Sequence, residues 1–176
     1  MRRVLALSVV LLALAGCNHM KPASAPPPAS VAADEAKIKA LMEQHAAAIT
    51  AKNFDGLMSQ YSDDVFVFDV VPPRAYVGTA AYRADWEGIK GLRDFKLEIS
   101  DLSIDVASDG QLAWGHCIHH STGTLPIGKK TQKYELTTRV TDVYKKINGE
   151  WKIIHEHVSV PVDLVHGAKP DLSSKP

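Results

Sequence analysis

Residues 139–159, RVTDVYKKINGEWKIIHEHVS, carry the strongest fold signal in the chain. Strand-forming residues lead up to Asn148-Gly149 and resume directly after it, and an Asn-Gly pair between two such runs is typical of a β-hairpin. The pattern predicts two antiparallel strands, over residues 133–146 and 150–161, joined by a short loop.

The length of the hairpin loop decides which side chains share a face of the sheet. A three-residue loop over 147–149, with a left-handed Gly149, would join Val143 and Ile153 on one buried face. A two-residue loop would shift the pairing by one position and separate these side chains. We expect the three-residue loop because it buries both apolar residues together.

The hydrophobic spacing of the preceding sequence predicts helices on a sheet. Apolar residues recur at helical spacing in some segments and alternate in others, with turn residues between them. This order predicts an α+β class in which N-terminal helices pack on a curved, mainly antiparallel sheet. The predicted helices cover 34–52 and 54–61 and a third begins at Thr79, and the earlier strands cover 65–68, 76–78, 95–106 (irregular near Ser100) and 111–122.

The hairpin resembles the terminal hairpin of the SnoaL-like branch of the nuclear transport factor 2-like superfamily, also called the ketosteroid isomerase-like fold. The matching pattern is Arg-x-Thr in a strand, an Asn-Gly turn, Trp-Lys-Ile and then His-x-His-x-Ser. The resemblance covers residues 34–163 and implies a cone-shaped domain with a pocket between helices and sheet. It also implies that two copies pair through the outer face of the sheet.

In the three-residue register, a polar cluster forms on the wall of this pocket. His157 then lies opposite Arg139, and His155 and Ser159 share their face by strand alternation. An arginine offers a fixed fork of donors to a carboxylate, and histidine exchanges protons near neutral pH. We therefore expect these four residues to line the site.

Asp69, at the end of the strand over 65–68, is the predicted base, or else the partner of Arg139. Tyr76 and Trp86 are expected to form an aromatic lid, and His119 is expected to line the pocket. The alternative is an internal network, in which Asp69 and Arg139 satisfy each other without any turnover.

No metal site is expected in the histidine-rich strand. His116 and His120 are four residues apart, which is about 13 Å at roughly 3.3 Å per residue. Such a separation is too large for two ligands of one ion.

The amino-terminal segment has the pattern of a bacterial lipoprotein signal. Arg2 and Arg3 precede an apolar run over 4–15, and Leu-Ala-Gly then leads into Cys17. This run suits a signal peptide but is shorter than the roughly 20 residues of a membrane-spanning helix. We expect cleavage before Cys17 and a lipid on its sulfur. Asn18 in place of an aspartate favours the outer membrane, facing the periplasm.

The predicted organisation is a signal peptide (1–16), the lipidated cysteine with a Pro/Ala-rich linker (17–33), the SnoaL-like domain (34–163) and a flexible tail (164–176). The chain has 20 basic and 20 acidic residues. Removing two arginines with residues 1–16 leaves 18 bases and 20 acids, which gives no general attraction for nucleic acid. Cys117 then has no intramolecular partner and is interpreted as a small buried residue.

Three functions remain open from the sequence. The first is a non-catalytic module that binds a small organic ligand. The second is an isomerase, dehydratase or cyclase of the type that the resemblance implies, working without a bound cofactor. In that enzyme Asp69 or His157 would move the proton, and Arg139 and Tyr76 would stabilise negative charge. The third is a structural dimerisation module. Steroid isomerisation is not expected, because no Tyr and Asp pair aligns as an oxyanion hole.

Overall fold

The computed structural model describes residues 29–165 and 169–170. The predicted signal peptide, Cys17 and the first part of the linker lie outside these residues. The first helix begins at Ala29 instead of residue 34, so the last part of the predicted linker is helical. The helices are α1 (Ala29–Thr50), α2 (Phe54–Met58) and α3 (Thr79–Trp86), and a 3-10 helix (Glu87–Gly91) follows α3 directly. Within the described residues, no helix is both long and apolar enough to cross a membrane.

The main sheet has six strands in the order β2-β1-β6-β5-β4-β3. All neighbouring strands are antiparallel except β1 and β6, which are parallel. The α+β class is confirmed, and the irregularity predicted near Ser100 is present between Ser100 and Ser103. The strands are β1 (Tyr61–Phe68), β2 (Tyr76–Val77), β3 (Arg93–Val106), β4 (Leu112–Ile127), β5 (Lys130–Ile147) and β6 (Glu150–Ser159).

A short second ladder follows the main sheet. Strand β7 (Val162–Asp163) pairs with β8 (Lys169–Pro170). Part of the segment predicted as a tail therefore pairs with the end of the domain.

The predicted three-residue hairpin loop is wrong. Ile147 pairs with Glu150, so that Asn148 and Gly149 alone form the turn. Both have positive φ, 53° for Asn148 and 85° for Gly149. This is the conformation of a type I′ turn, for which Asn-Gly is the preferred sequence. Ile153 is buried opposite Tyr144, whereas Val143 is only half-buried on the other face, opposite His155 and beyond a bulge in the hairpin.

The bulge lies in β6, where Ile154 has no partner between two paired neighbours. Ile153 pairs with Tyr144, whereas His155 pairs with Val143. An extra residue reverses the alternation, so the side chains beyond it change faces. Glu156 therefore continues the buried face that Ile153 belongs to.

We call the sheet face covered by the helices the inner face. Helix α1 packs along it mainly against β3. Asp34, near the start of α1, is buried and accepts hydrogen bonds from Lys146 Nζ at 2.7 Å and Trp151 Nε1 at 3.2 Å. These bonds fix the beginning of α1 to the hairpin of β5 and β6.

Candidate functional site

A cavity of about 320 Å³ lies between the inner face of the sheet and the segment formed by α3 and the 3-10 helix. Its exposed rim includes Val70 and Gly88, and its walls are mostly apolar. The size is near the lower end of ligand sites, which span about 300–1,000 Å³. Apolar walls are supplied by Val71, Ile89, Phe95, Leu97, Leu136 and Val158, and polar groups by Asp69, Asp85, His119, Ser121, Thr138 and Glu156.

Asp69 is connected to the interior through the hydroxyl of Tyr82. Tyr82 Oη lies 3.2 Å from Asp69 Oδ2 and also donates to Glu156 Oε1. A phenol has one proton, so Tyr82 donates to one carboxyl while the other, when protonated, can donate to its oxygen. We call this arrangement the Asp69–Tyr82–Glu156 chain. It can move a proton between the cavity wall and the buried carboxyl.

Burial, and then the charge of Asp85, raise the pKa of Asp69. Hydrogen bonds from the backbone N–H groups of Val70 and Val71 oppose this change, because they stabilise the carboxylate. A carboxyl with a raised pKa at a cavity wall is suited to both taking up and giving back a proton.

Glu156 lies beside a second buried carboxyl, Asp142, which is its partner across the β5–β6 pair. Burial raises the pKa of both groups, that of Asp142 to about 7, and the charge of Asp142 raises that of Glu156 further. Tyr61 Oη donates to Glu156 at 2.8 Å, and Tyr144 Oη donates to Asp142 at 3.0 Å. Ionising both carboxyls would place two negative charges side by side in the interior, which is unfavourable. The pair therefore holds a proton near neutral pH.

Asp85 forms a second carboxyl at the cavity wall. Tyr76 Oη donates to Asp85 Oδ1 at 2.8 Å and is also 2.8 Å from the carbonyl of Pro72. The tyrosine thereby holds α3 against the loop that follows β1. Burial raises the pKa of Asp85, and the bond from Tyr76 opposes that change.

His119 is the most deeply buried basic group of the cavity lining. Burial, with a smaller effect of the nearby His45, lowers its pKa to about 3, so the ring is neutral at pH 7. In the described part of the chain its Nε2 has no hydrogen-bond partner, and neither has Trp86 Nε1. A buried polar atom without a partner costs about 1–3 kcal/mol, and a bound molecule is one ordinary explanation for it.

The structure brings together three of the predicted site residues. Asp69, Trp86 and His119 all line the cavity. Tyr76 does not line the cavity, but its hydroxyl donates a hydrogen bond to Asp85, which does.

The remaining predicted residues lie on the opposite, outer face of the sheet. Arg139 and His157 are exposed there, and His155 and Ser159 are half-buried. Arg139 pairs with Ser159 rather than with His157, which faces Thr141. The prediction that this group lines the pocket is wrong. The bulge in β6 turns the side chains of His155, His157 and Ser159 outward, and Arg139 lies on the outer face because Val140 and Asp142 take the inner positions of β5.

His155 and its neighbours form an aromatic surface on the outer face. His155 Nδ1 donates to the carbonyl of Phe66 at 2.7 Å, and its ring stacks on that of Phe66. Phe68 contacts the rings of both His155 and His157 edge-on. The predicted pairing of Asp69 with Arg139 is also absent, since the two lie on different faces.

Sequence reasoning missed Glu156, Asp142 and Asp85. Glu156 stands between two histidines, and uniform alternation from Trp151 would place it on the solvent side. The detectable signal was Asp142, which falls on the same face as Val140 and Tyr144 in an alternating strand. A carboxyl in such a position requires a buried partner.

No group of three or more His, Cys, Asp or Glu residues within 29–165 and 169–170 is arranged to hold a metal ion. His116 is exposed, whereas His119 is buried on the other face.

The sequence pattern of the SnoaL-like domain matches residues 38–163 of this chain. Among solved structures, an NTF2-like protein of unknown function from Pseudomonas putida KT2440 is similar over 82% of this chain and 98% of its own. It shares 28% sequence identity, with a TM-score of 0.70.

Two more distant structures share the fold. A protein provisionally named as a scytalone dehydratase, from Novosphingobium aromaticivorans DSM 12444, has 19% identity and a TM-score of 0.67, over 83% of this chain and 98% of its own. A protein provisionally named as a calcium/calmodulin dependent protein kinase II association domain, from Xanthomonas campestris, has 23% identity and a TM-score of 0.59, over 69% and 84%. None of the curated proteins matches this chain.

Proposed function

Because this chain belongs to the SnoaL-like domain family, we propose that its cavity binds a small, mainly apolar organic molecule. The observation that carries the proposal is the cavity itself, with apolar walls and a few polar groups such as Asp69 and His119. This is the usual composition of a small-molecule site, in which apolar walls give affinity and polar groups give orientation.

The proposal is tested with 1-naphthalenemethanol, an uncharged two-ring probe, titrated into the full-length protein by calorimetry. Val158 lines the cavity, so Val158→Phe fills part of it and should weaken binding at least tenfold. Val143, on the outer face of the neighbouring strand, gives the matched control Val143→Phe, which should bind normally. Equal affinity in both variants would refute binding in this cavity.

Proton transfer within the same cavity is a second candidate function. The Asp69–Tyr82–Glu156 chain favours it, because a carboxyl at the wall is connected to a buried carboxyl that can store the proton. Some solved proteins of this fold carry the provisional name of dehydratase, and dehydration is a reaction that moves protons.

The test for proton transfer is hydrogen–deuterium exchange at the carbon beside the carbonyl of 2-tetralone in D₂O, followed by NMR. Asp69 would take the C–H proton and return a deuteron, so the unmodified protein should accelerate exchange. Asp69→Asn should lose this acceleration while keeping its affinity for the ketone. Asp64→Asn, at an exposed site on β1, is the control. No acceleration by the unmodified protein would exclude this activity for such ketones.

We also propose that the protein is a lipoprotein, anchored through Cys17 to the outer membrane and facing the periplasm. The support is the sequence pattern that ends in Leu-Ala-Gly-Cys. Cys17→Ser should move the protein from the detergent phase to the aqueous phase in phase separation, whereas Cys117→Ala should leave it in the detergent phase. Detergent partitioning of Cys17→Ser would disprove the lipid anchor.

Two copies are proposed to pair through the outer face. Exposed aromatic side chains support this, with Phe66, Phe68 and Trp114 exposed by 38%, 40% and 48%. Aromatic residues are enriched in such interfaces. Sedimentation equilibrium should give a dimer that Phe68→Asp converts to a monomer, and a monomeric unmodified protein would contradict the proposal.

A further inference from the structure

The carboxyl groups give the cavity a negative character. Asp69 and Asp85 line it and carry this charge, whereas the third lining carboxyl, Glu156, belongs to the pair that holds a proton near neutral pH. None of the lining residues in the described part of the chain is a lysine or arginine. His119 adds no positive charge, since it is neutral at pH 7. The polar part of the cavity therefore contains groups that attract a cation and repel an anion.

Two basic residues close to the cavity along the chain, Arg83 and Lys90, are engaged elsewhere. Arg83 on α3 bonds to Asp55 at 2.6 Å and to Glu87 at 3.2 Å. Lys90 pairs with the same Glu87 at 3.1 Å. Asp69 and Asp85 themselves have no ion-pair partner among the described residues, and both are partly accessible from the rim.

The two carboxyls at the wall also act on each other. The charge of Asp85 contributes to the raised pKa of Asp69, so the two groups repel when both are ionised. A cation placed between them would relieve this repulsion, whereas a neutral ligand would not.

Aromatic rings provide further contacts for a cation. Trp86, Phe95 and Tyr134 line the cavity together with its aliphatic walls. A protonated amine is attracted to the face of such rings, and its apolar remainder gains from burial. Independently of the carboxyls, the buried His119 Nε2 has no hydrogen-bond partner among the described residues, so a polar atom of a ligand can bond to it.

We infer that the cavity selects organic cations, namely protonated amines attached to an apolar ring system, over neutral or anionic molecules of the same shape. This inference rests on the proposed ligand-binding function and adds the charge of the ligand to it. The carboxylates of Asp69 and Asp85 hold the ammonium group, and the apolar walls hold the rings.

The test compares three probes that share a naphthalene ring and differ in charge. They are 1-naphthylmethylamine, 1-naphthalenemethanol and 1-naphthoate, titrated at pH 7 into the full-length protein at constant salt. The amine should bind at least tenfold more tightly than the alcohol, and the naphthoate should bind most weakly. A tenfold difference in affinity is expected because hydrogen bonds to charged groups contribute more binding free energy than those between neutral groups.

A pair of variants identifies the groups responsible. Asp85→Asn keeps the shape of the side chain and its bond from Tyr76, and it should remove most of the preference for the amine while leaving the alcohol within twofold. Asp64→Asn removes a negative charge at an exposed position outside the cavity and should change neither affinity.

The outcomes separate this inference from the proposed function. If the alcohol binds as tightly as the amine, or the naphthoate binds more tightly, the charge preference is wrong while ligand binding stands. An unchanged amine affinity in Asp85→Asn would likewise overturn the role of this carboxyl. If none of the three probes binds, the proposed function fails and the inference fails with it.

Discussion

Asp142 and Glu156 face each other across two neighbouring strands, in a position from which water is excluded. Tyrosine hydroxyls donate to both carboxyls, but within the described residues Asp142 Oδ1 has no hydrogen-bond partner. Their proximity means that folding favours a protonated form of the pair. Burial and like charge thus keep a proton on this carboxyl pair, of which Glu156 lines the cavity.

The raised pKa of Asp142 predicts that the stability of the fold depends on pH. The pKa of Asp142 rises from 3.8 to about 7 on folding, so the folded protein binds more protons than the unfolded chain between about pH 4 and 7. Stability contributed by this group is therefore present at low pH and falls as the pH rises through that window.

Asp142→Asn should remove the loss of stability that ionisation of Asp142 causes as the pH rises. Relative to the unmodified protein, the variant should gain on the order of 2 kcal/mol between pH 5 and pH 8, since one pKa unit corresponds to about 1.36 kcal/mol. Urea denaturation of both proteins at a series of pH values measures the difference, with Asp64→Asn as the exposed control. Parallel stability curves for Asp142→Asn and the unmodified protein would show that the carboxyl ionises freely in the fold.

At the residue scale, the sequence located a side chain where its position depends on local sequence. Asp69 could be placed because it directly follows a run of strand-forming residues, and it does line the cavity. The prediction failed for His155, His157 and Ser159 because their placement depends on the bulge at Ile154, and for Arg139 because Asp142, not Val143, takes the inner position of β5. Glu156 was missed for the same reason, since it takes the inner position that His155 and His157 were expected to share.

At the scale of the elements, the Asn148-Gly149 turn was predictable but the register beyond it was not. The turn type follows from the left-handed conformations that Asn and Gly adopt readily. The bulge satisfies a different requirement: it keeps Trp151 and Ile153 in the core while Glu156 meets Tyr61 and Tyr82. Those partners come from β1 and α3, far away in sequence, so no local pattern encodes the bulge.

The connection between α1 and the hairpin gives a prediction at this scale. Asp34 is buried with its oxygens bonded to Lys146 and Trp151, and the bond from Lys146 is the largest cause of its lowered pKa. Asp34→Asn leaves the Lys146 ammonium without its charged partner and should destabilise the fold by about 1–3 kcal/mol at pH 7.

The pH dependence of this variant has the opposite sign to that of Asp142. A lowered pKa stabilises the fold above about pH 4 and loses its effect as the pH falls through the folded-state pKa, so the difference from the unmodified protein should shrink in acid. Thermal unfolding at pH 7 and pH 3 measures it, with the exposed Lys145→Met as control. Equal melting temperatures of Asp34→Asn and the unmodified protein at pH 7 would contradict this role.

For the whole molecule, the sequence was sufficient for the fold class and the family resemblance, both of which are confirmed. The parallel pairing of β1 with β6 was not predicted, because it joins the first strand of the main sheet to the last one along the chain, without a local turn. This pairing places Phe68 beside His157 and brings Asp69, at the end of β1, near Glu156 on the other face. The cavity is thus a product of tertiary structure.

A crystal structure of the full-length protein grown with 1-naphthylmethylamine would show directly whether the cavity binds an organic cation. We expect difference density for the naphthalene ring between Leu97 and Val158, with the amine nitrogen within hydrogen-bond distance of Asp69 or Asp85. Density confined to the outer face beside His155 and His157, with the cavity unoccupied by the amine, would contradict this expectation.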